Sequence, residues 1–558
     1  MSAPPREFPR ARPQGEAALL FYLGVGIDPV LNAKVRALAR ALALAPLPGV
    51  REVLAAYCCL QAQFDPLLLD HAQVQAWVEE TLAHLEEGRS HAGAASPGRR
   101  VEVPVVYGGE YGPDLDFICV RAGLGPEEVI SRHTGRDHLC YLVGFTPGFP
   151  FLGGLDPALA APRLDSPRAQ LPAGAVGVGA DQTGLYPLGG PGGWRILGRT
   201  PQLIYDPRRD PPCLIEPGDL VRFRRVDAAV FPEPPRGELT FEPTGLPALE
   251  VLAPGSLTTV QDGGRWGWQH LGVPVSGALD RFGLAAANLL LGNPPQAPAL
   301  EVALMGLRLK ALRELTVAAG GAELDLRLDG QPMPRWTPLK VSTGQVLEFH
   351  APKGGARTVL AVAGGLAVRP VLGSASTYIL GCLGAPLAKG QVLRVWPVQG
   401  GGLPDRRPAP VGAVPAAGRS LTLRAVPGPN QDFFSEDGLR TLFNAEFRVS
   451  PQADRRGVRL EGPPVEIRPG GPTSIVSEPN APGIVQVPPG GAPIILLNEQ
   501  TVGGYAKAAT VIGPDRDLLA SALPGDSVRF QAVTAAQGVE AARVQARMLE
   551  RIARAARE

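Results

Sequence analysis

GFTPGFPFLGGLDP (144–157), LPAGAVGVGADQTGLYP (171–187) and GGWRILGRTPQLIYD (192–206) decide how this chain folds. Glycine and proline stand too close together for a helix or an uninterrupted strand, since glycine favours turns and proline removes a ladder donor. Short strands joined by shaped loops are what remain. Gln182, Thr183, Tyr186, Trp194 and Arg199 are spaced among those loops as hydrogen-bonding or stacking groups, the usual lining of a small-molecule site.

A second stretch, VPPGGAPIILLNEQTVGGYAKAATV (487–511), repeats the theme. Each carries a Pro-rich turn, a short apolar run, a Gln-Thr pair (Gln182 and Thr183; Gln500 and Thr501), then glycine and a tyrosine (Tyr186; Tyr505). Downstream, PGDLVRF begins at Pro217 and PGDSVRF at Pro524. A Pro-Gly-Asp turn that follows a Gln-Thr loop twice predicts a duplicated barrel, with the two glutamines in equivalent loops.

The chain has 558 residues, enough for roughly three to five domains. With Lys+Arg 54 against Asp+Glu 53, the net charge of +1 offers nothing to nucleic acid or an anionic membrane, which leaves a small molecule or a protein as partner. The 69 Gly and 60 Pro with 6% aromatics favour turn-rich β structure, and a hydrophobic fraction of 45% argues against disorder. Six cysteines without paired spacing read as reduced thiols. No apolar signal core and no bilayer-length run are present, so a cytoplasmic protein is expected.

In chain order, a strand (Ala17–Gly24), a helix (Asn32–Leu44), a strand pair or bent strand (Val50–Leu60), a helix (Gln73–Leu85) and a strand from Val101 give the order of a ferredoxin-like α+β unit. The expected divisions are an N-terminal α+β domain (1–98), a barrel (99–226), a Pro- and Glu-rich linker (227–247), a β-rich domain read as another barrel (248–400), a last barrel (401–535) after a Gly/Pro linker near 400–418, and a C-terminal helix (536–558). The fold class is thus α+β, mainly β. Ser276 reads as the N-cap of a helix whose Phe282, Ala286 and Leu289 share a face. In the terminal helix Val544, Met548 and Ile552 stand at i, i+4 and i+8.

Several chemistries are excluded. The sequence has no G-x-x-x-x-G-K-[ST] phosphate loop and no G-x-S-x-G elbow. Its seven histidines are scattered, so no metal site is expected. It also lacks a Met-Lys pair that could carry covalent biotin. What remains is polar residues in Gly-rich loops. Asp262 and Arg265 stand three apart, with Asp280 and Glu301 beyond. A carboxylate near an arginine either orients a substrate amide or acts as a base, or it is a structural ion pair closing a loop, the commoner case. Gln182 and Gln500 read either as lactam-binding or as turn-stabilising amides, and Asp454 with Arg455 as another paired loop.

Residues 101–223 resemble the KipI family, the B component of 5-oxoprolinase, through YGGEYGPDLD, GFTPGFPFLGGLDP, QTGLYP and PGGWRILGRTP. Residues 249–530 resemble the KipA family, the C component of 5-oxoprolinase, through TTVQDGGRWG, GVPVSGALD, ADRRGVRL, IVQVPPGGAPIILL and QTVGGYAKAATV. The chain is identified as a fused member of both, known also as allophanate hydrolase subunits 1 and 2. The resemblance implies cyclophilin-like barrels and likeness to the carboxyltransferase part of urea carboxylase. It implies a separate A component of LamB/YcsF type, with ATP as co-substrate for opening 5-oxoproline to glutamate. The alternatives are a carboxyltransferase using carboxybiotin from another protein and a non-catalytic kinase regulator. A homo-oligomer is possible on any of these readings.

On this reading Asp262, Arg265, Asp280 and Glu301 are the candidate catalytic residues. Gln182, Gln500 and Tyr505 hold the ring, with Thr183, Tyr186 and Thr501 beside them, and Arg199, Arg265 or Lys507 neutralises developing negative charge. Leu279, Arg456, Asn498 and Ala506 depart from the family pattern, and Asn498 in place of an aspartate removes a charge there.

Overall fold

The computed structural model describes residues 8–88, 98–398, 407–410, 412, 419–472 and 474–557. Most of the linker expected at 400–418 lies outside them. At the N-terminus four antiparallel strands lie in the order Arg10–Pro13, Ala18–Tyr22, Cys59–Phe64, Val50–Ala55. Helices Pro29–Leu44 and His71–Glu86 pack on them, capped by Asp28 and Asp70. Val35, Leu38 and Leu42 recur at helical spacing and are all 0% exposed. The fourth strand of a ferredoxin-like unit is not the one at Val101. Arg10–Pro13 forms the edge beside Ala18–Tyr22 instead, and the strand Arg100–Tyr107 leaves for the barrel, where it pairs in parallel with Leu220–Arg225.

Two closed seven-stranded barrels follow the same circuit. The first runs Gln182–Leu185, Pro150–Gly153, His138–Val143, Leu220–Arg225, Arg100–Tyr107, Arg195–Arg199, Ala175–Gly179; the second runs Ile494–Leu496, Gly457–Glu461, Phe447–Val449, Ser527–Ala532, Ser420–Pro427, Ala506–Val511, Ile484–Val487. The first core gathers Val103, Val105, Leu152, Val176, Val221 and Phe223, and the second Leu423, Phe447, Val485, Ile495, Val528 and Phe530.

The Pro-Gly-Asp turns occupy equivalent places. Asp219 accepts from Arg99 (Nη2, 2.7 Å) and from the Glu216 N–H (2.9 Å); Asp526 accepts from Arg419 (Nε, 3.0 Å) and from the Leu523 N–H (2.9 Å). Gly218 and Gly525 sit at φ +100° and +87°, where a side chain is strained. The Gln-Thr pairs are not equivalent. Gln182 opens a barrel strand, whereas Gln500 lies in the loop beyond the matching strand, Ile494–Leu496.

Between the barrels, residues 246–395 form an open nine-stranded sheet rather than another barrel. Its two long strands, Leu315–Leu328 and Val346–Val362, shift register at Gly321/Glu323, Glu323/Leu324 and Leu324/Leu326, which bends the sheet. Its end strands, Leu257–Gln261 and Val392–Val395, stay unjoined. The helix Arg281–Leu290 is capped by Asp280, not Ser276, whose backbone lies at φ +54°. The last helix, Ala535–Ala555, buries Ala541 and Ile552 and packs Met548 and Leu549 on the Phe282–Leu290 side, while Val544 points outward at 45% exposure.

The halves interlock. Leu271 accepts from the Gly148 N–H (2.9 Å), and a Cβ on Gly144 would meet Val502 at 2.5 Å, so only glycine fits there. Among the described residues no helix is long and apolar enough to cross a membrane, and no group of three or more His, Cys, Asp or Glu could hold a metal ion.

Candidate functional site

Strand alternation sets the site. Leu257–Gln261 pairs with Ala299–Ala303, which pairs in turn with Val346–Val362, placing Thr259 opposite Glu301 and Ala303 opposite Arg357. Val260, Leu300, Val302 and Leu360 enter the sheet core. The intervening positions, Thr259, Gln261, Glu301 and Arg357, therefore share the other face. The second barrel closes over that face with Ala453–Arg456 and Leu497–Glu499, leaving a cavity of about 540 Å³. That size suits a small molecule. Ile379 and Leu380, each 48% exposed, belong to its lining.

Arg455 organises the polar wall. It donates to Glu301, to Glu499 (2.6 Å) and to the Gly277 carbonyl (2.7 Å), and the second oxygen of Glu301 accepts from the Leu279 N–H (2.8 Å). All three side chains are more than nine-tenths buried. Burial works against the charge of Arg455, but Glu301 and Glu499 outweigh it and hold the guanidinium above its ordinary pKa. Burial, with the charge of Glu301, pushes the Glu499 carboxyl up against the pull of Arg455. Burial likewise lowers Arg357, whose nearest carboxylate oxygen, on Glu301, is 3.9 Å away.

Three buried polar atoms here have no partner: Arg357 Nε, Gln261 Oε1 and Thr377 Oγ1. The Gln261 amide nitrogen is occupied by Thr259 Oγ1 and the Thr377 carbonyl, both at 3.0 Å, which turns its oxygen out unpaired. An unpaired buried group costs about 1–3 kcal/mol, so a free acceptor, a free guanidinium donor and a free hydroxyl around one cavity mark a place for a ligand.

Asp262 and Arg265 shape this wall without reaching the cavity. Asp262 accepts from Ser374 Oγ (2.6 Å), Ser376 Oγ (2.5 Å) and the N–H groups of Gly264 (2.8 Å) and Ala375 (2.7 Å). Arg265, 1% exposed, donates to the carbonyls of Val371, Ser374 and Ser376. The two do not pair with each other within the described residues; both staple the loop that leads to Thr377. Asp454 pairs with Arg456 at 2.7 Å, not with Arg455.

Asp280 is a helix cap, accepting from the Gly283 N–H at 2.6 Å. Burial, then the charge of Asp517, raises its pKa to about 7. Its folded value therefore lies above the ordinary ~3.9 of a free aspartate. The folded state holds the extra proton between those values, and stability falls as pH rises from about 4 to about 7. Asp280→Asn keeps a capping oxygen and removes the charge. Its melting temperature relative to the parent is expected to climb between pH 5 and pH 8, and a constant difference in a pH-resolved melting series would count against this.

The remaining candidates stand elsewhere. Thr183 bonds His133 (2.9 Å) inside the first barrel, Tyr186 packs on Phe149, and Arg199 lies against Phe231 of the linker. Gln182 donates to the Tyr57 hydroxyl at 2.8 Å. Lys507, 0% exposed, pairs with Glu478 at 2.6 Å, and Glu478 also accepts from Tyr22 of the first half at 3.1 Å. Burial and Glu478 keep that tyrosine protonated by raising its pKa. Thr501 is buried, Gln500 half-buried, and Tyr505 is 40% exposed. None of the expected residues lines the cavity itself; Glu301 stands behind its wall, bonded to Arg455. Gln261, Arg357, Thr377, Arg455 and Glu499 were missed as site residues, although Gln261 adjoins Asp262 and Arg455 sits in the ADRRGVRL motif.

Two family models match. The carboxyltransferase domain, subdomains C and D, covers residues 9–215, and subdomains A and B cover 271–532. The chain is 39% identical to the B component of 5-oxoprolinase from Bacillus subtilis over 222 residues, 38% of this chain and 90% of that protein. It is 34% identical to the C component of 5-oxoprolinase from Escherichia coli over 316 residues, 55% of this chain and 97% of that protein. Among solved structures TTHA0988 superposes with a TM-score of 0.82 at 40% identity, covering 92% of this chain and 99% of that one. The Kluyveromyces lactis urea carboxylase gives 0.52 at 28% identity, over 56% of this chain and 30% of that one.

Proposed function

Because the chain belongs to the carboxyltransferase-domain family and unites counterparts of the B and C components of 5-oxoprolinase, we propose that it is the fused B and C component of an ATP-dependent 5-oxoprolinase. With an A component of LamB/YcsF type it opens 5-oxo-L-proline to L-glutamate.

The observation that carries this reading is the unpaired trio around the cavity. 5-Oxoproline is a five-membered lactam bearing a carboxylate. Its ring N–H needs an acceptor, and Gln261 Oε1 is one. Its carboxylate needs a cation, and Arg357 lines the cavity with an Nε that makes no hydrogen bond, Glu301 standing 3.9 Å off. Opening breaks the ring C–N bond, adds the oxygen of water to carbon and leaves a proton on nitrogen. Glu499, a carboxyl of the cavity lining, is placed to relay that proton, taking it from the attacking water and passing it to the ring nitrogen. ATP is the co-substrate of the assembled enzyme, since a resonance-stabilised lactam opens slowly in water alone.

Likeness to urea carboxylase supports a second reading, transfer of a carboxyl group from carboxybiotin held by another protein to an amide acceptor. One experiment separates them. The purified chain, mixed with the A component encoded in the same genome, 5-oxoproline and ATP, is expected to release glutamate and phosphate together, and neither protein alone should do so. Absence of glutamate, with carboxybiotin discharged to a urea-like acceptor, favours the second reading.

A further inference from the structure

A different cavity, about 380 Å³, lies where the N-terminal unit, the helix Arg281–Leu290 and the second barrel meet. Gln14, Glu16 and Arg51 come from the first, Arg281 and, in the loop before it, Ser276 from the second, and Thr510 and Arg516 from the third. No residue proposed above to contact substrate lines it.

Its arginines are unequally served. Arg281 is paired with Asp517 (3.1 Å) and Arg51 with Asp65 (2.9 Å). Arg516 has only the Pro482 carbonyl, at 2.6 Å; its Nε is buried without a partner, and no carboxylate lies within ion-pair distance among the described residues. Burial and the neighbouring Arg281 pull its pKa down to about 9. Of the two acids in the wall, Asp65 is taken by Arg51 and Glu16 already accepts from the Gly513 N–H at 2.7 Å. Two further groups lining the cavity lack partners: Thr510 Oγ1, in a residue 2% exposed, and Ser276 Oγ, in one 1% exposed. A guanidinium whose buried Nε has no partner and whose nearest acids, Glu16 and Asp517, act on it only at a distance is costly, and two free hydroxyls lining the same cavity complete a donor set.

We propose that this cavity is a second binding site, taking a small oxyanion, carboxylate or phosphate, with Arg516 as its charge partner and the hydroxyls of Thr510 and Ser276 as donors. All three groups belong to the second half of the chain, and the N-terminal unit walls the cavity with Glu16 and Arg51.

The test is made on the full chain alone, without its partner protein or turnover, so its outcome is independent of the proposed reaction. Inorganic phosphate and acetate are titrated separately by calorimetry at constant ionic strength, with chloride as control. Saturable binding of at least one is expected, and which one binds identifies the source of the oxyanion. Arg516→Gln should weaken it about tenfold or more, as loss of a charge-assisted hydrogen bond does. Thr510→Val, nearly isosteric, should weaken it severalfold and serves as second probe if Arg516→Gln does not fold. Saturable binding of neither anion, or unchanged affinity in the variants, overturns the proposal.

Discussion

Arg455→Met will destabilise the protein by about 3–5 kcal/mol. It leaves Glu301 and Glu499, 5% and 8% exposed, without the guanidinium that bonds both, Arg357 remaining 3.9 Å from Glu301. Removing one member of a buried charge network costs this much because the remaining charges stay out of water. The triple variant Glu301→Gln, Arg455→Met, Glu499→Gln should recover most of the loss, since replacing a whole buried network is often nearly neutral. Urea unfolding followed by tryptophan fluorescence measures both. A loss under about 1 kcal/mol for the single variant would place the network in solvent-screened surroundings, against its burial.

The barrels were legible because their signals are local. In Pro217–Asp219 and Pro524–Asp526 the proline, the positive-φ glycine and the aspartate all act within a few residues, so the same turn chemistry serves the same corner twice. The Gln-Thr pairs had no such local necessity. One begins a strand and the other belongs to a loop, so their likeness came from composition alone. Arg10–Pro13 escaped notice as a strand because its arginines and proline suit an edge strand, and its partner strand, not its own pattern, holds it in place. The open middle sheet looked like a barrel because closure depends on where register shifts bend its longest strands.

The site was less legible for a related reason. Arg455 reaches Glu301 across 154 residues of sequence, and its adjacent Asp454 drew it into a local pair that Arg456 makes instead. In the motif TTVQDGG the aspartate is consumed by Ser374 and Ser376, and the glutamine beside it faces the cavity. Charge drew attention to Asp262. Pairing decided otherwise: four donors satisfy Asp262, while one oxygen of Gln261 has none.

Arg357→Gln should cut kcat/KM for 5-oxoproline by about 10²-fold in the reconstituted enzyme, the value of one lost charge-assisted contact of roughly 3 kcal/mol. The loss should fall mainly on KM if the guanidinium holds the carboxylate equally in ground and transition states. A merely structural arginine gives the same drop through misfolding, so substrate truncation separates the two. 2-Pyrrolidinone has the lactam but not the carboxylate, and towards it parent and Arg357→Gln should differ little. Gln261→Leu, which removes the acceptor for the ring N–H, should lower activity on both compounds. If Arg357→Gln is equally impaired towards 5-oxoproline and 2-pyrrolidinone, Arg357 does not read the carboxylate, and the cavity loses the charge contact that assigns it to this substrate.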